Sequence, residues 1–394
     1  MRSPVAWLML VPLVASWAAD VQPGDPLAEP GFQHFYNLEY DEALAAFTAE
    51  AAKNPSRPDV YNHIAQTIVF RDMYRSGALE SELVTSTNPF LRRPKLNPGA
   101  AEQKEFWDAI GRAMQLAGDR LKQNPNDVGA LYAMGVSYGL RANYNFLVRK
   151  AWLDALSDAT SARKMHNKIT ELDPNFVDAR LVQGLHDYVV GSLPFGWKFL
   201  GFLAGYRGDR EQGIRTLKLV AEKGRINRVD AAVLLSAILR REKRAGEAVS
   251  LLNDLSQRFP RNFLVRLELA QMYGDLGDKT KALAVIDQVD QLKRANAPGY
   301  QKLPAEKIRY VRGNLLFWYN DLDRALEDMK AVTAKTNELD LTTGVYSWMR
   351  LGQIYDLQGQ RQLALAAYQQ AVQIAPGSEA AAEARRYMSS RYRR

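Results

Sequence analysis

"SWMRLGQIYDLQGQRQLALAAYQQAVQIAPGS", residues 347–378, contains two amphipathic segments that are separated by a glycine. One face of the first segment carries Trp348, Leu351, Gly352 and Tyr355, and one face of the second carries Ala364, Tyr368 and Ala371. These intervals of three and four residues are typical of helices. Gly359 marks a tight turn between them, and Pro376 ends the second helix because proline lacks the backbone N–H that a helix needs. The stretch therefore predicts a helix–turn–helix unit.

This unit resembles the tetratricopeptide repeat, in which about 34 residues form two antiparallel helices. Small residues at Gly352 and Ala364 let the two helix backbones cross closely. The large side chain of Tyr368 then fills the space beside them. Because Pro376 stops the second helix, the chain turns there into the next unit.

The spacing within this unit recurs along the chain. From Gly352 the next small residue comes 12 positions later, and a large residue follows 4 positions after that. The same spacing begins at four other small residues, Gly31, Ser236, Ala270 and Gly313. Five units of one spacing indicate a repeat array rather than a single chance match.

In three further units the first-helix and second-helix segments match the repeat but are farther apart in sequence. Ala65 and Ala113 are 48 residues apart, Gly135 and Ala162 are 27 apart, and Gly184 and Gly213 are 29 apart. In each unit the extra residues fall at the turn between the two helices. Equivalent turns align along one edge of a stacked array, so we expect the three insertions to lie side by side.

These patterns predict an all-α fold, a right-handed superhelical solenoid of about eight tetratricopeptide-type helix pairs. Three of the pairs contain insertions between their helices. The predicted segments are a signal peptide at 1–19, a flexible lead-in at 20–30, N-terminal repeats at 31–225 with insertions at 77–104, 141–156 and 191–210, regular repeats at 226–377, and a capping helix with a basic tail at 378–394.

The first residues have the pattern of an export signal. Arg2 precedes the apolar run "PVAWLMLVPLVA" at 4–15, and small residues follow, with cleavage expected near Ala18 or Ala19. We therefore expect an exported protein, located in the periplasm of a bacterium with two membranes; the alternative is an uncleaved signal anchor. The sequence contains no cysteine, so disulfides do not stabilise the fold.

Charge and motif content exclude several classes of function. The formal net charge is +8, but the charges are scattered, which indicates a solvated basic surface and no nucleic-acid partner. The four histidines do not pair at helical spacing for zinc, and no phosphate loop, metal loop or nucleophile elbow occurs. The sequence therefore predicts no enzyme activity, no cofactor and no metal.

The third insertion begins with an aromatic run, "GSLPFGWKFLGFLAGY" at 191–206. It is too short and too rich in glycine to favour a membrane span. Two interpretations stay open: a helix buried against the other insertions, or a patch that docks on a membrane surface or a partner. The candidate patch consists of Phe195, Trp197, Lys198, Phe199, Phe202, Tyr206 and Arg207.

The same region is similar to the eukaryotic tetratricopeptide-repeat-39 and inclusion-body-clearance family. The matching residues are Leu193, Pro194, Gly205, Tyr206, Gly208, Asp209, Arg210 and Gly213. The resemblance implies a non-enzymatic helical scaffold linked to the handling of protein or lipid bodies. The export signal at 1–19 departs from that family.

Binding is the function class that a repeat array favours, because stacked helix pairs form an extended concave surface lined by first helices. Amide and aromatic side chains there suit an extended peptide. The candidate residues are Asn62, Gln66, Tyr132, Tyr188, Gln271, Tyr310, Asn314, Phe317 and Gln353. The alternative for several of them is packing between repeats. We expect an exported scaffold that binds a protein or peptide in the assembly or handling of other envelope proteins. The alternative is a peripheral membrane or lipid-surface protein that docks through the aromatic insertion.

Overall fold

The computed structural model describes residues 25–79, 95–192 and 208–394, and the regular secondary structure within these ranges is helical throughout. The helices of the N-terminal half are α1 (Pro30–Tyr36), α2 (Tyr40–Lys53), α3 (Pro58–Arg75), α4 (Ala100–Gln123), α5 (Val128–Tyr144), α6 (Trp152–Leu172), α7 (Arg180–Gly191) and α8 (Arg210–Lys223). The helices of the C-terminal half are α9 (Arg228–Arg241), α10 (Ala245–Arg258), α11 (Phe263–Asp275), α12 (Lys279–Arg294), α13 (Ala305–Trp318), α14 (Leu322–Thr333), α15 (Leu341–Leu357), α16 (Arg361–Ile374) and α17 (Glu379–Ser389).

These helices pack as eight consecutive pairs, which we number as units one to eight from α1/α2 to α15/α16. Each odd-numbered helix up to α15 is the first helix of its unit. Each unit also packs on the next, and α17 packs on the last pair. The predicted fold class, an all-helical solenoid of tetratricopeptide-type pairs, is confirmed.

The small residues of the repeat lie where the paired helices cross. A Cβ atom on Gly352 would lie 2.5 Å from Cε1 of Tyr368, and one on Gly31 would lie 2.4 Å from Cε1 of Phe47. In seven of the eight second helices the small residue is an alanine at most 1% exposed: Ala43, Ala113, Ala162, Ala248, Ala282, Ala325 and Ala364. In unit four it is Gly213, which is also buried. The spacing in the sequence therefore reflects close contact between backbones within each unit.

In units two to four the helices are separated by longer segments. Unit three continues from α5 through a π-helical turn, Asn145–Arg149, to the start of α6 at Trp152. In units two and four the turn contains residues 80–94 and 193–207, which lie outside the described ranges. The predicted signal peptide also lies outside them, as do all seven residues of the aromatic patch.

The N-terminal unit contacts units five and six, which are remote in sequence. The Tyr36 hydroxyl donates to Asp230 at 3.1 Å, although the two are 194 residues apart. Arg261 Nε donates to Glu39 at 2.7 Å, and Asn262 Nδ2 donates to the Tyr36 carbonyl oxygen at 2.8 Å. A repeat pattern predicts contacts between neighbouring units only. These long-range contacts therefore could not be predicted from the repeat spacing.

The contact continues from unit two to units six and eight. The rings of Tyr74 and Phe263 have centroids 6.2 Å apart, and the Thr342 hydroxyl donates to the Ser76 carbonyl oxygen at 3.1 Å. We call the whole set the closing contact: Tyr36, Glu39, Tyr74 and Ser76 against Asp230, Arg261, Asn262, Phe263 and Thr342. It joins the N-terminal half of the chain to the starts of first helices in the C-terminal half.

Asp230 makes the closing contact sensitive to pH. Burial raises the pKa of this carboxyl to about 6, and the negative charge of Asp178 adds to the increase, while hydrogen bonds from Tyr36 and Gln66 oppose it. The folded chain therefore holds this proton more tightly than the unfolded chain does. The contribution of Asp230 to stability is greatest below about pH 4 and is lost as the pH rises through 6.

We expect Asp230→Asn to remove this dependence, because the amide stays neutral and keeps an oxygen acceptor for Tyr36. The wild type loses stability between pH 4 and pH 7 and the variant does not. The difference in free energy of unfolding, variant minus wild type, is therefore expected to be about 1–2 kcal/mol larger at pH 7 than at pH 4. Urea unfolding of both chains at the two pH values measures the difference. An equal difference at both pH values would contradict the assignment.

Candidate peptide-binding face

Most of the residues that the sequence predicts for peptide binding are buried in the structure. Six of the nine are at most 9% exposed: Asn62, Tyr132, Tyr188, Tyr310, Phe317 and Gln353. The other three, Gln66, Gln271 and Asn314, are partly exposed. The six buried side chains are not on an open concave face; their burial agrees with the alternative of packing between repeats.

The side-chain polar groups of Asn62 and Tyr188 are engaged within the protein. Asn62 Nδ2 donates to the Ala133 carbonyl oxygen at 2.8 Å, and Asn62 Oδ1 accepts from the Ser137 hydroxyl at 2.7 Å. The Tyr188 hydroxyl donates to Glu242 at 2.9 Å. Buried polar groups need such partners, so these side chains connect adjacent units instead of lining an open face.

Gln66, which is partly exposed, lies beside the closing contact. Its side chain bonds to Asp230 of unit five, so the inner side of unit two faces another part of the same chain. The available part of the inner face therefore lies in the C-terminal half.

Gln271 and Asn314, from two different units, border one pocket. Its volume is about 90 Å³, and it lies between the first helices of units five, six and seven. The polar and aromatic residues that line it are Arg240, Gln271, Asp275, Asn314, Trp318 and Tyr319. The structure thus brings two of the predicted residues together and adds Trp318, which the sequence reasoning missed although it directly follows the candidate Phe317.

The charges at the pocket are already paired. Arg240 Nε lies 2.8 Å from an Asp275 carboxylate oxygen, and its Nη1 lies 3.6 Å from Glu268. Trp318, by contrast, presents an apolar ring that is 63% exposed. An aromatic surface beside amide groups, with compensated charge, can hold a peptide backbone and an apolar side chain together.

A buried arginine positions this wall of the pocket. The Arg350 guanidinium lies 4.3 Å from the ring centroid of Phe317 and 4.9 Å from that of Trp318. Its Nε donates to Asn314 Oδ1 at 2.8 Å, and its Nη1 donates to Gln353 Oε1 at 2.7 Å. The Arg350 guanidinium therefore fixes the Asn314 amide by a hydrogen bond and the Trp318 indole by stacking.

His63 and His166 pack against aromatic rings of the core. Burial lowers the pKa values of His63 and His166 to about 4, so both are neutral at pH 7. Within the described ranges, no group of three or more histidine, aspartate or glutamate side chains could hold a metal ion. Among the helices of those ranges, none combines the length and apolarity that crossing a membrane requires.

Comparisons with known proteins agree with the repeat. Residues 345–378 match the family model of the tetratricopeptide repeat. A search of curated proteins found no match. The tetratricopeptide repeat is typical of scaffolds that mediate protein interactions.

Solved structures of repeat proteins are similar over most of the chain. A crystal structure of the APC/C hetero-tetramer Cut9-Hcn1 has 14% identity and a TM-score of 0.49, over 91% of this chain and 54% of that one. The yeast Tom70 structure has 13% identity and a TM-score of 0.42, over 93% and 88%. A tetratricopeptide repeat protein from Parabacteroides merdae has 14% identity and a TM-score of 0.33, over 86% and 97%. The chain spans about half the length of the Cut9-Hcn1 chain that it matches.

Proposed function

We propose that this chain is a non-enzymatic scaffold that binds an extended peptide segment of another protein on the inner face of units five to seven. The observation that carries the proposal is the pocket beside Trp318, where amide side chains from two units adjoin an exposed indole. An extended segment offers a backbone donor and acceptor at every residue, which amides can match. Its side chains can pack against the indole.

The test selects peptides from a random display library on the purified chain and measures their affinity by fluorescence anisotropy. Trp318→Ala combined with Gln271→Ala is expected to weaken binding at least about tenfold, because an exposed aromatic anchor is lost. Trp152→Ala, which removes another exposed indole in unit three, is the control and should leave the affinity unchanged. Equal affinities for the pocket variant and the wild type would contradict the proposal.

Export to the periplasm is part of the same proposal and rests on the apolar run at 4–15 and the small residues near Ala18 and Ala19. We propose that the exported chain takes part in the assembly or handling of other envelope proteins. Cell fractionation with mass spectrometry of the mature N-terminus tests the location. A cytoplasmic chain that keeps residues 1–19 would contradict it.

The resemblance to the tetratricopeptide-repeat-39 family adds no role to this proposal. Of its matching residues, four are described: Gly208, Asp209, Arg210 and Gly213. Asp209 caps α8 by accepting the Gln212 backbone N–H at 2.7 Å. A helix cap explains the aspartate without a ligand.

A second candidate function, docking on a membrane surface, is favoured by an apolar group at the start of α6. Trp152, Leu153 and Leu156 are 41%, 83% and 50% exposed. Arg149 and Lys150 precede them, so basic side chains adjoin an exposed apolar surface, the combination that favours anionic lipid surfaces. The group belongs to the second predicted insertion, at the same turn position as the aromatic run at 191–206.

Co-sedimentation with vesicles of anionic and neutral phospholipid tests this candidate. If it holds, Leu153→Asp is expected to reduce the bound fraction several-fold, because a charge would have to enter the lipid interface. Val233→Asp, at another exposed apolar side chain, is the control and should leave the bound fraction unchanged. Binding that is equal in all three chains would exclude docking at this site.

A further inference from the structure

The last residues of the sequence run back across the inner face of units seven and eight. The Tyr392 backbone N–H donates to Asp356 Oδ2 at 3.0 Å, and the Arg391 guanidinium donates to the Asp356 carbonyl oxygen. Arg394 donates to the carbonyl oxygen of Phe317 and, at 2.6 Å, to Asn320 Oδ1. Residues 391–394 thus contact two first helices in succession.

The two contacted helices present equivalent positions of the repeat. Asp356 comes four residues after Gly352, and Phe317 comes four residues after Gly313. Three residues of extended chain span about 10 Å, and packed helices are about 8–10 Å apart. An extended peptide therefore advances by one unit for every three residues, which is the interval between Arg391 and Arg394.

The chemistry of these positions suits arginine and aromatic side chains. The last turn of a helix leaves carbonyl oxygens without intrahelical donors and carries the negative end of the helix dipole. Arg394 lies 4.6 Å from the ring centroid of Phe317 and Arg350 lies 4.3 Å from it. The Tyr392 ring packs at 6.1 Å from Phe317 and 5.1 Å from Tyr387.

The site is held together by residues outside the segment that occupies it. The Asp356 side chain is fully buried. Arg361 Nη1 and the Tyr368 hydroxyl each donate to its carboxylate at 3.0 Å. Removal of residues 391–394 takes away the Tyr392 N–H but leaves Arg361 and Tyr368 on the carboxylate, and the site is expected to persist.

We propose that the inner face of units seven and eight recognises extended peptides that carry arginine at positions i and i+3 and an aromatic residue at i+1, and that residues 391–394 are a tethered occupant of this site. We call Asp356, Phe317 and Asn320 the arginine track. A ligand that continued beyond residue 394 in the same direction would reach the pocket beside Trp318. The inference thus rests on the proposed function and gives it a ligand class.

The test compares the full chain with a chain that ends at Ser390, using the fluorescein-labelled peptide SSRYRR, residues 389–394, in an anisotropy assay. A tethered segment competes at an effective concentration in the millimolar range. We therefore expect the shortened chain to bind the peptide at least about tenfold more tightly. The peptide SSEYRE, with both contacting arginines replaced by glutamate, should show no saturable binding.

Asn320→Gly in the shortened chain tests the track itself without the folding risk of a change at Asp356. Asn320 has a φ of 61°, which glycine adopts freely, so the variant loses mainly the acceptor for Arg394. A several-fold weaker affinity is expected, with unchanged circular dichroism. Equal binding of SSRYRR by the full and shortened chains, or of SSRYRR and SSEYRE, would overturn the inference.

The two proposals can fail separately. If the shortened chain ignores SSRYRR but binds library peptides in a manner that depends on Trp318, the arginine track is wrong and the peptide-binding function stands. If neither ligand binds, both are wrong.

Discussion

Gly352→Ala is expected to destabilise the fold by about 2–3 kcal/mol, although alanine is the better helix former by about 1 kcal/mol. The added Cβ would lie 2.5 Å from the Tyr368 ring. That ring is fully buried, and its hydroxyl donates to Asp356 at 3.0 Å, so it cannot move away without losing packing and a hydrogen bond. The helices of unit eight must separate instead.

Gly111→Ala is the matched control, because Gly111 lies within α4 and a Cβ there would have no neighbour within 4 Å. Gly111→Ala should increase the free energy of unfolding by up to about 1 kcal/mol. Urea unfolding of the two variants and the wild type gives both values. Changes of the same sign at the two glycines would contradict the proposed role of the small residue in the repeat.

Asp178→Ala is expected to reduce the free energy of unfolding by about 3–5 kcal/mol. The buried carboxylate accepts the backbone N–H groups of Arg225, Ile226 and Asn227 at 3.1, 3.0 and 2.7 Å. It thereby connects the start of unit four to the turn between α8 and α9. Hydrogen bonds to a charged group contribute about 1.5–3 kcal/mol each, and three donors would lose their partner together.

Asp119→Asn provides the comparison, since Asp119 is exposed and pairs with Lys122 on the surface of α4. Such a pair contributes less than about 1 kcal/mol. Urea unfolding of both variants measures the contrast. A loss below about 1 kcal/mol for Asp178→Ala would show that the turn holds its conformation without the carboxylate.

The helix pairs could be predicted because their determinants are local in sequence. A small residue, a second small residue 12 positions later and a large one 4 positions after that define a single crossing, as at Gly352, Ala364 and Tyr368. The larger separations in units two to four also follow from the sequence, because the two halves of each unit keep their own spacing.

The open part of the inner face could not be predicted from the same pattern. Helical periodicity places Asn62 and Asn314 on the same face of their first helices, one turn apart in the repeat, yet Asn62 is buried against unit three and Asn314 borders the pocket. Asn62 is held by Ala133 and Ser137, and Asn314 is held by Arg350. No local spacing relates these residues. For residues 378–394 the sequence predicts only a capping helix with a basic tail, and the contacts of this tail with Asp356 and Phe317 depend on the same long-range geometry.

Site-specific photo-cross-linking tests most directly whether the inner face of the C-terminal units binds peptide. A benzoylphenylalanine at position 318 lies on that face, and one at position 363, where Leu363 is exposed on the second helix α16, is the matched control. With library-selected peptides we expect cross-links at 318 and only background at 363, mapped by mass spectrometry. Equal yields at the two positions, or cross-linking confined to 363, would contradict the account.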